Sequence, residues 1–242
     1  LKLKKDSTYD LNLTLNKAKE IRLDVGGHFS SRAVNTGYVG LSYQTVGKVF
    51  TKTKLESYFG KFYGSAKAKF TVELPIRYPV STSLYLTLNR WDYFRSFATF
   101  FEDVQPSFLV QDEIYAGFSI DNPLGNTLTS RLDGRMFELE DRYYQTDNFS
   151  NKDTSDLTRF YGVSSSWSFI QNSLNRKQFA SSGHFIKFKA QYVYGTEHTI
   201  PGSITEEKEV TKFHSWVNFN LDYQTFFIDK PIFHLGFHGQ LV

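Results

Sequence analysis

Apolar and polar residues alternate with a period of two along almost the whole chain. The clearest run spans residues 66–74. The apolar residues of this run alternate with the polar ones: Ala66, Ala68, Phe70, Val72 and Leu74 are apolar, and Lys67, Lys69, Thr71 and Glu73 are polar. Successive side chains of a β-strand point to opposite faces, so this pattern predicts strands with one apolar and one polar face. The same alternation recurs at residues 21–25, 186–194 and 217–224. The chain is therefore predicted to be all-β.

Extended along the sequence, the pattern predicts eleven strands. They lie near residues 20–29, 37–46, 50–60, 65–77, 82–94, 107–120, 127–144, 157–171, 184–196, 211–227 and 232–242. Many of them exceed the ~5–6 residues of a typical strand. They reach the ~9–11 residues that a tilted strand needs to cross a bilayer.

The connections between these strands differ in length in a regular way. Those after even-numbered strands are mostly tight turns, such as Gly47-Lys48 and residues 229–231. Those after odd-numbered strands are mostly longer and polar, such as residues 146–156 and 199–210. Short turns at one end and long loops at the other are typical of outer-membrane barrels. Residues 174–183 depart from this rule.

Two folds share the alternation, a transmembrane barrel and a soluble β-sandwich that buries its apolar face between two sheets. Strand length and loop asymmetry favour the barrel. So do aromatic residues near strand ends, which resemble the two interfacial girdles of a barrel. They are Tyr58, Phe59, Trp91, Tyr93, Phe94, Tyr143, Tyr144, Trp167, Phe169, Phe226 and Phe227. We therefore expect an antiparallel up-and-down transmembrane β-barrel.

Charged residues on the polar faces are expected to point into a hydrated interior. A charge facing lipid costs ~2–4 kcal/mol at the midplane of the bilayer. The residues concerned are Lys67, Lys69, Glu73, Glu113, Arg131, Asp133, Arg135, Lys187, Lys189 and Asp222. In the clearest strand, this predicts that Lys67, Lys69 and Glu73 face water while Ala66, Phe70 and Val72 face lipid. We expect the interior charges to fill a hydrated space rather than to form a dedicated selectivity filter.

Composition excludes several other classes of protein. The chain has no cysteine, which excludes disulfide scaffolds and thiolate metal sites. No apolar stretch approaches the ~18 residues of a membrane helix. The formal net charge is +3 with scattered charges, so no nucleic-acid partner is predicted.

Residues 91–104 fit either a short interfacial helix or a continuation of the fifth strand, and we favour the strand.

Catalytic and metal-binding motifs are not predicted in this chain. It contains no G-x-S-x-G pentapeptide, and Asp133-Gly134 lies in a predicted strand without a partner serine motif. His234 and His238 would lie ~13 Å apart on a strand, too far to share one metal ion. Accordingly, no catalytic, cofactor-binding or metal-binding residue is assigned, and no cofactor is expected.

Several segments resemble a known family. Residues 24–32 and 35–43 resemble the first hairpin of BamA-like barrels, in the version fused behind bacterial patatin-like phospholipases. Residues 59–65, 175–180 and 197–203 are similar to later stretches of that group. The Arg-Gly-Phe or Arg-Gly-Tyr loop motif of the family is absent from this chain.

The resemblance implies an outer-membrane barrel of sixteen strands preceded by a small periplasmic POTRA-like domain. Residues 1–18 would be the end of that domain, with a last strand that starts at Tyr9, and residues 19–242 the incomplete barrel. Eleven is an odd number, and bacterial single-chain barrels close on an even one. We therefore expect further strands to complete the barrel.

The implied function is a membrane anchor, and a route for export, for an upstream patatin-like phospholipase domain. The parent protein would then be a serine lipase whose catalytic residues lie outside this chain. The expected partners are membrane lipids and other outer-membrane or assembly-machinery proteins. Two alternatives stay open: an assembly factor of the BamA type or a channel without lipase, and a soluble β-sandwich that binds a ligand through its loops.

Overall fold

The computed structural model describes residues 2–3, 9–10, 20–29, 35–76, 79–93, 108–145, 150, 152–176, 178–204, 208–230 and 233–241. Within these residues the chain forms thirteen β-strands. They are β1 (Lys2–Leu3), β2 (Tyr9–Asp10), β3 (Ile21–His28), β4 (Thr36–Val46), β5 (Phe50–Gly60), β6 (Tyr63–Leu74), β7 (Val80–Asp92), β8 (Phe108–Pro123), β9 (Leu128–Tyr143), β10 (Asp156–Asn172), β11 (His184–Ile200), β12 (Val210–Asp229) and β13 (His234–Leu241).

Strands β3 to β13 form one antiparallel sheet of eleven strands in sequence order. Each strand pairs with the next one along the chain, so the topology is up-and-down, and β3 and β13 are the two edges of an open sheet. The eleven strands predicted from the alternation are confirmed, with ends that shift by a few residues. Strand β2 pairs with β1 apart from this sheet. The rest of the strand predicted from Tyr9 lies outside the described residues.

The connections lie at two rims of the sheet. We call the rim at which β3, β5, β7, β9 and β11 end the long-loop rim, and the rim at which β4, β6, β8, β10 and β12 end the short-turn rim. On the short-turn rim, residues 173–183 extend the β10–β11 hairpin through hydrogen bonds such as Asn175 N to Ser182 O at 3.1 Å. On the long-loop rim, β7 ends at Asp92, and residues 94–104, on which the helix and strand alternatives differ, lie outside the described residues.

The strand register keeps apolar and polar residues on separate faces of the whole sheet. Ala66 pairs with Leu88 and Lys67 with Thr87, and the same parity continues through the neighbouring pairs apart from register shifts near two strand ends, between Phe108 and Val110 and between Phe226 and Ile228. We call the face that carries Ala66, Phe70 and Val72 the apolar face and the one that carries Lys67, Lys69 and Glu73 the polar face. All ten charged residues predicted to share a polar surface lie on the polar face.

The polar face is concave. Ser83 on this face is 1% exposed, whereas the adjacent Leu84 on the apolar face is 59% exposed. The Tyr85 hydroxyl on β7 also reaches Asp133 on β9 across the intervening strand β8. The sheet therefore presents large apolar side chains on its convex side and shelters small polar ones on its concave side.

The apolar face has no second sheet packed on it within the described residues. Backbone contacts run almost entirely between strands that are neighbours in the sequence. A β-sandwich would instead bury this face against another layer. Among the same residues, no helix has the length and apolar character needed to span a membrane.

The aromatic residues predicted to form girdles divide between the two faces. Phe59, Trp167 and Phe227 are exposed on the apolar face, but Tyr58 and Trp91 lie on the polar face. Adjacent residues of a strand point in opposite directions, so a pair of adjacent aromatic residues such as Tyr58 and Phe59 sends only one ring outward. The girdle prediction is therefore wrong for about half of these residues, and Phe94 lies outside the described residues.

Gly117 allows the close approach of three strands. A Cβ at this position would lie 2.5 Å from the Gly134 carbonyl oxygen and 2.7 Å from the Tyr85 hydroxyl. The Tyr85 side chain thus passes over β8 only because residue 117 has no side chain. In contrast, a Cβ at Gly64 would find its nearest neighbour, the Tyr58 carbonyl oxygen, at 3.9 Å.

We predict that Gly117→Ala lowers the free energy of unfolding by about 1–3 kcal/mol, because the added methyl group meets backbone that must move. Gly64→Ala is the matched control and should change it by less than about 0.5 kcal/mol. Urea titration followed by tryptophan fluorescence measures both. Equal effects of the two substitutions would contradict the close approach at Gly117.

Candidate functional site

The centre of the polar face is a network of hydrogen-bonded charged side chains. The Tyr85 hydroxyl donates to Asp133 Oδ2 at 2.8 Å, and the Arg135 guanidinium lies 5.4 Å from the centre of the Tyr115 ring. Arg131 forms an ion pair with Asp121 on the neighbouring strand. Asp133 is thus a hydrogen-bond acceptor in the middle of β9.

Eight cationic side chains on the polar face form what we call the cationic stripe: Lys52, Lys54, Lys67, Lys69, Arg131, Arg135, Lys187 and Lys189. They come from four strands, β5, β6, β9 and β11. Two neighbouring strands contribute small hydroxyl residues instead. Strand β7, beside β6, carries Ser83, and strand β10, between β9 and β11, carries Ser168. Ser168 lies between Arg131 and Lys189 and is 6% exposed, since both neighbours are long.

Carboxylates dominate the polar face closer to the long-loop rim. Glu113 accepts a hydrogen bond from Asn89 Nδ2 at 3.1 Å, and Asp141 accepts one from Gln111 Nε2 at 3.0 Å. Amide donors satisfy these carboxylates without neutralising their charge. The polar face therefore has an acidic end, whereas in its middle cations are mixed with carboxylates such as Asp121, Asp133 and Asp222.

Aromatic rings also line this end of the polar face. Tyr38, Tyr58, Tyr63 and Trp91 form a ladder across four strands, with successive ring centres 4.7, 6.2 and 5.5 Å apart. Farther along the sheet, Phe160 stacks on Trp216 with ring centres 5.8 Å apart. These rings border a cavity of about 260 Å³ between β8 and β12. The sequence alone did not indicate this inward-facing aromatic surface.

A belt of charged residues lies on the apolar face beside the long-loop rim. We call the outward belt Arg90, Asp112, Glu138, Glu140, Arg142 and Arg159. Arg159 Nη2 lies 2.8 Å from Glu140 Oε2, and Arg90 Nη1 lies 3.7 Å from Asp112 Oδ2. The expectation that charges avoid the apolar face thus holds in the middle of the strands but is wrong at this rim. Residues 138, 140 and 142 share parity with Leu132 and Met136, which is the sequence signal for their orientation.

Two loops of the long-loop rim are tied together. Asp156, 2% exposed, accepts a hydrogen bond from the Gly202 amide at 2.7 Å through Oδ1. Ser203 and Thr154 exchange hydrogen bonds of 2.9 Å through their side chains and amides. We call residues 152–156 and 201–203 the loop knot. A Cβ at Gly202 would lie 2.1 Å from the Thr154 carbonyl oxygen, so this junction requires glycine.

Tyr144 and Asp153 complete the first loop of the knot. The Tyr144 hydroxyl donates to the Asp153 carbonyl oxygen at 2.9 Å, and burial raises the pKa of the Tyr144 hydroxyl. The Ser150 amide donates to Asp153 Oδ2 at 2.7 Å. Hydrogen bonds from the Ser150 backbone and hydroxyl lower the pKa of the Asp153 carboxyl.

The histidines form separate pairs and do not converge. His238 Nε2 lies 2.8 Å from Asp222 Oδ1, and His214 Nε2 lies 2.9 Å from Glu197 Oε2 without hydrogen-bond alignment. His198 contacts Thr211 Oγ1 at 2.9 Å and Glu209 Oε1 at 3.0 Å. No group of three or more metal-ligating side chains is placed to hold an ion in the described part of the chain.

The segments that carry the family resemblance occupy both rims and β3–β4. Residues 59–65 form the β5–β6 turn and residues 197–203 run from the end of β11 into the loop knot. Residues 175–180 form the tip of the β10–β11 hairpin, where Phe179 is 93% exposed. No protein-family model, curated protein or solved structure matches the chain.

We predict that the first loop of the knot opens below about pH 4. The pKa of Asp153 is lower in the folded protein than the ~3.9 of a free aspartate, so its stabilising contribution is complete above about pH 4 and is lost as the pH falls through the folded value. Hydrogen exchange of residues 150–154, corrected for intrinsic rates, should therefore increase between pH 5 and pH 3. In Asp153→Asn this dependence should disappear, and its persistence there would contradict the assignment.

Proposed function

We propose that this chain forms part of the wall of an outer-membrane β-barrel, with its apolar face towards lipid and its polar face around a hydrated interior. The observation that carries the proposal is the placement of large apolar side chains. Residues such as Leu84 and Phe219, each 59% exposed, cover the convex face, while small polar residues are buried on the concave one. In water this arrangement would expose an apolar patch far larger than soluble proteins carry. Lipid removes that cost.

The height of the apolar surface supports the proposal. On β7 the outward positions from Val80 to Leu88 carry no charge, and on β11 the same holds from Ile186 to Thr196. At ~3.3 Å per residue and a tilt of ~40°, these segments span roughly 20–25 Å. The apolar band of outer-membrane barrels is ~25 Å tall. The outward belt then lies just beyond lipid tails, at the level of the headgroups.

The two rims support one orientation in the membrane. Outer-membrane barrels have short turns on the periplasmic side and longer loops outside the cell. The long-loop rim, with the loop knot and the outward belt, would therefore be extracellular. The short-turn rim would face the periplasm, the side on which residues 1–18 would join as the end of a POTRA-like domain.

The edges of the sheet fit a sixteen-stranded barrel. Strands β3 and β13 run in the same direction, so an antiparallel closure requires an odd number of additional strands. Sixteen strands would require five more. This parity fits any even total, and sixteen is the number that the resemblance to BamA-like barrels implies.

Within this framework, the barrel serves as the membrane anchor, and as a route for export, of an upstream patatin-like phospholipase domain. This rests on the resemblance of residues 24–43 and 197–203 to barrels of such fusions. An assembly factor of the BamA type or a channel without lipase is the second candidate, supported by the same residues.

The sequence encoded upstream separates the two candidates. A G-x-S-x-G motif there, with lipase activity in the membrane fraction, supports the fusion. Several tandem POTRA units without lipase activity would contradict it.

We predict that Leu84→Arg strongly disfavours membrane insertion. Leu84 lies at the middle of the outward positions of β7, where a charge facing lipid costs ~2–4 kcal/mol. Val110→Arg is the matched control, because Val110 lies on the same face at the level of the outward belt, opposite Asp92. There the cost should be about 0–1 kcal/mol. Folding into vesicles in a urea series, read from heat-modifiable gel mobility, measures both, and equal behaviour of the two variants would contradict the barrel.

Single cysteines should show which face meets water. The chain has no native cysteine, so introduced ones are unique. In the full-length protein in outer-membrane vesicles, we expect cysteines at Lys67, Lys69 and Glu73 to react with a small membrane-impermeant thiol reagent and those at Ala66, Phe70 and Val72 to be protected. Labelling of the second set without the first would overturn the proposed orientation of the faces.

A further inference from the structure

The cationic stripe contains a repulsive contact that the fold does not require. Lys54 on β5 and Lys69 on β6 are directly opposite each other on the polar face. Like charges in this position destabilise a sheet. Lys54 is compensated by Glu56 Oε1 at 2.7 Å, whereas Lys69 lies in electrostatic range of three cations, Arg131, Lys67 and Lys52, and of one carboxylate, Asp121.

Most lysines of the stripe have no carboxylate partner. Lys52, Lys67, Lys69, Lys187 and Lys189 form no ion pair with any described residue. Lys187 is opposite Asp222, but His238 holds that carboxylate at 2.8 Å. Lys189 donates only to the uncharged Gln191 side chain, at 2.7 Å. Acidic residues also lie on this face, with Glu113 and Asp141 towards the long-loop rim and Asp121, Asp133 and Asp222 among the cations.

We propose that the cationic stripe binds small soluble anions that carry a phosphate group. The inference rests on the proposed barrel, because only a closed wall turns the concave face into an interior that solutes enter. Lysine side chains from β5, β6 and β11 lie on the face of this interior together with those of Arg131 and Arg135. Rings of lysine and arginine are the usual lining of pores selective for anions and phosphate.

Phosphate fits the stripe better than a monovalent halide. It offers several oxygen acceptors and up to two charges to cations that come from different strands. The small Ser168 lies between Arg131 and Lys189 and leaves space between these two cations.

The test uses the full-length protein folded in detergent, with inorganic phosphate as the probe and chloride at equal ionic strength as the reference. Bound phosphate should raise the midpoint of thermal unfolding by about 2–4 °C over chloride. Lys67→Gln/Lys69→Gln should abolish most of this rise. Lys48→Gln/Lys61→Gln is the matched control, since it removes two exposed lysines in turns and should retain the full rise.

Basal stability separates ligand binding from a structural role of the lysines. If the stripe binds anions, Lys69→Gln in chloride should leave the midpoint unchanged or raise it, because it relieves the repulsion by Lys54. A lower midpoint in chloride together with an unchanged phosphate effect would assign Lys69 to structure and overturn the proposal. Equal midpoints in phosphate and chloride for the unaltered protein would also overturn it. Neither result bears on the barrel, which the Leu84→Arg and Val110→Arg comparison tests separately.

Discussion

Cross-strand register is the constraint on which the rest of this structure depends. Each strand side chain points opposite to its neighbour, so a slip of one residue in any pairing would carry apolar residues to the polar face. The parity is kept along the ten successive pairings from β3 to β13 except near two strand ends, where the register shifts between Phe108 and Val110 and between Phe226 and Ile228. A shared apolar surface and a shared polar network exist only because every pairing agrees.

Curvature follows from what the register places on the polar face. Strands β7, β8 and β10 carry small residues on this face, and strands beside them carry long side chains. The small residues include Ser83, Gly117, Ser119 and Ser166. The long chains lean over the small ones, which leaves Ser119 only 4% exposed and lets Tyr85 reach Asp133. On the other side, leucine, phenylalanine and tryptophan occupy the larger convex surface. Side-chain volume and backbone pairing thus favour the same direction of bending.

The parts of the fold that sequence predicts are those encoded locally. Alternation is a property of neighbouring residues, so all eleven strands and the shared face of Lys67, Arg131 and Asp222 could be read from it. The Tyr85–Asp133 hydrogen bond joins residues 48 positions apart across an intervening strand, and no local pattern specifies it. The loop knot likewise joins Asp156 to Gly202 after a complete hairpin. The parity of residues 138–142 predicts the outward belt, whereas the rule that charged residues avoid the apolar face applies only to the middle of the strands.

The polar face shows how stability and chemistry compete within one surface. A wall that only needed hydration could pair every lysine with a cross-strand carboxylate, as Arg131 is paired with Asp121 and Arg159 with Glu140. Each such pair contributes roughly 0.2–1 kcal/mol, and a like-charge pair opposes folding by a similar amount. The outward belt follows that rule closely, whereas the cationic stripe departs from it at Lys54 and Lys69. Both surfaces belong to one antiparallel sheet and share β9, so backbone pairing alone does not account for the difference. It is set by the choice of side chains, which leaves several lysines of the concave face without an ion pair among the described residues, where a mobile anion can neutralise their charge.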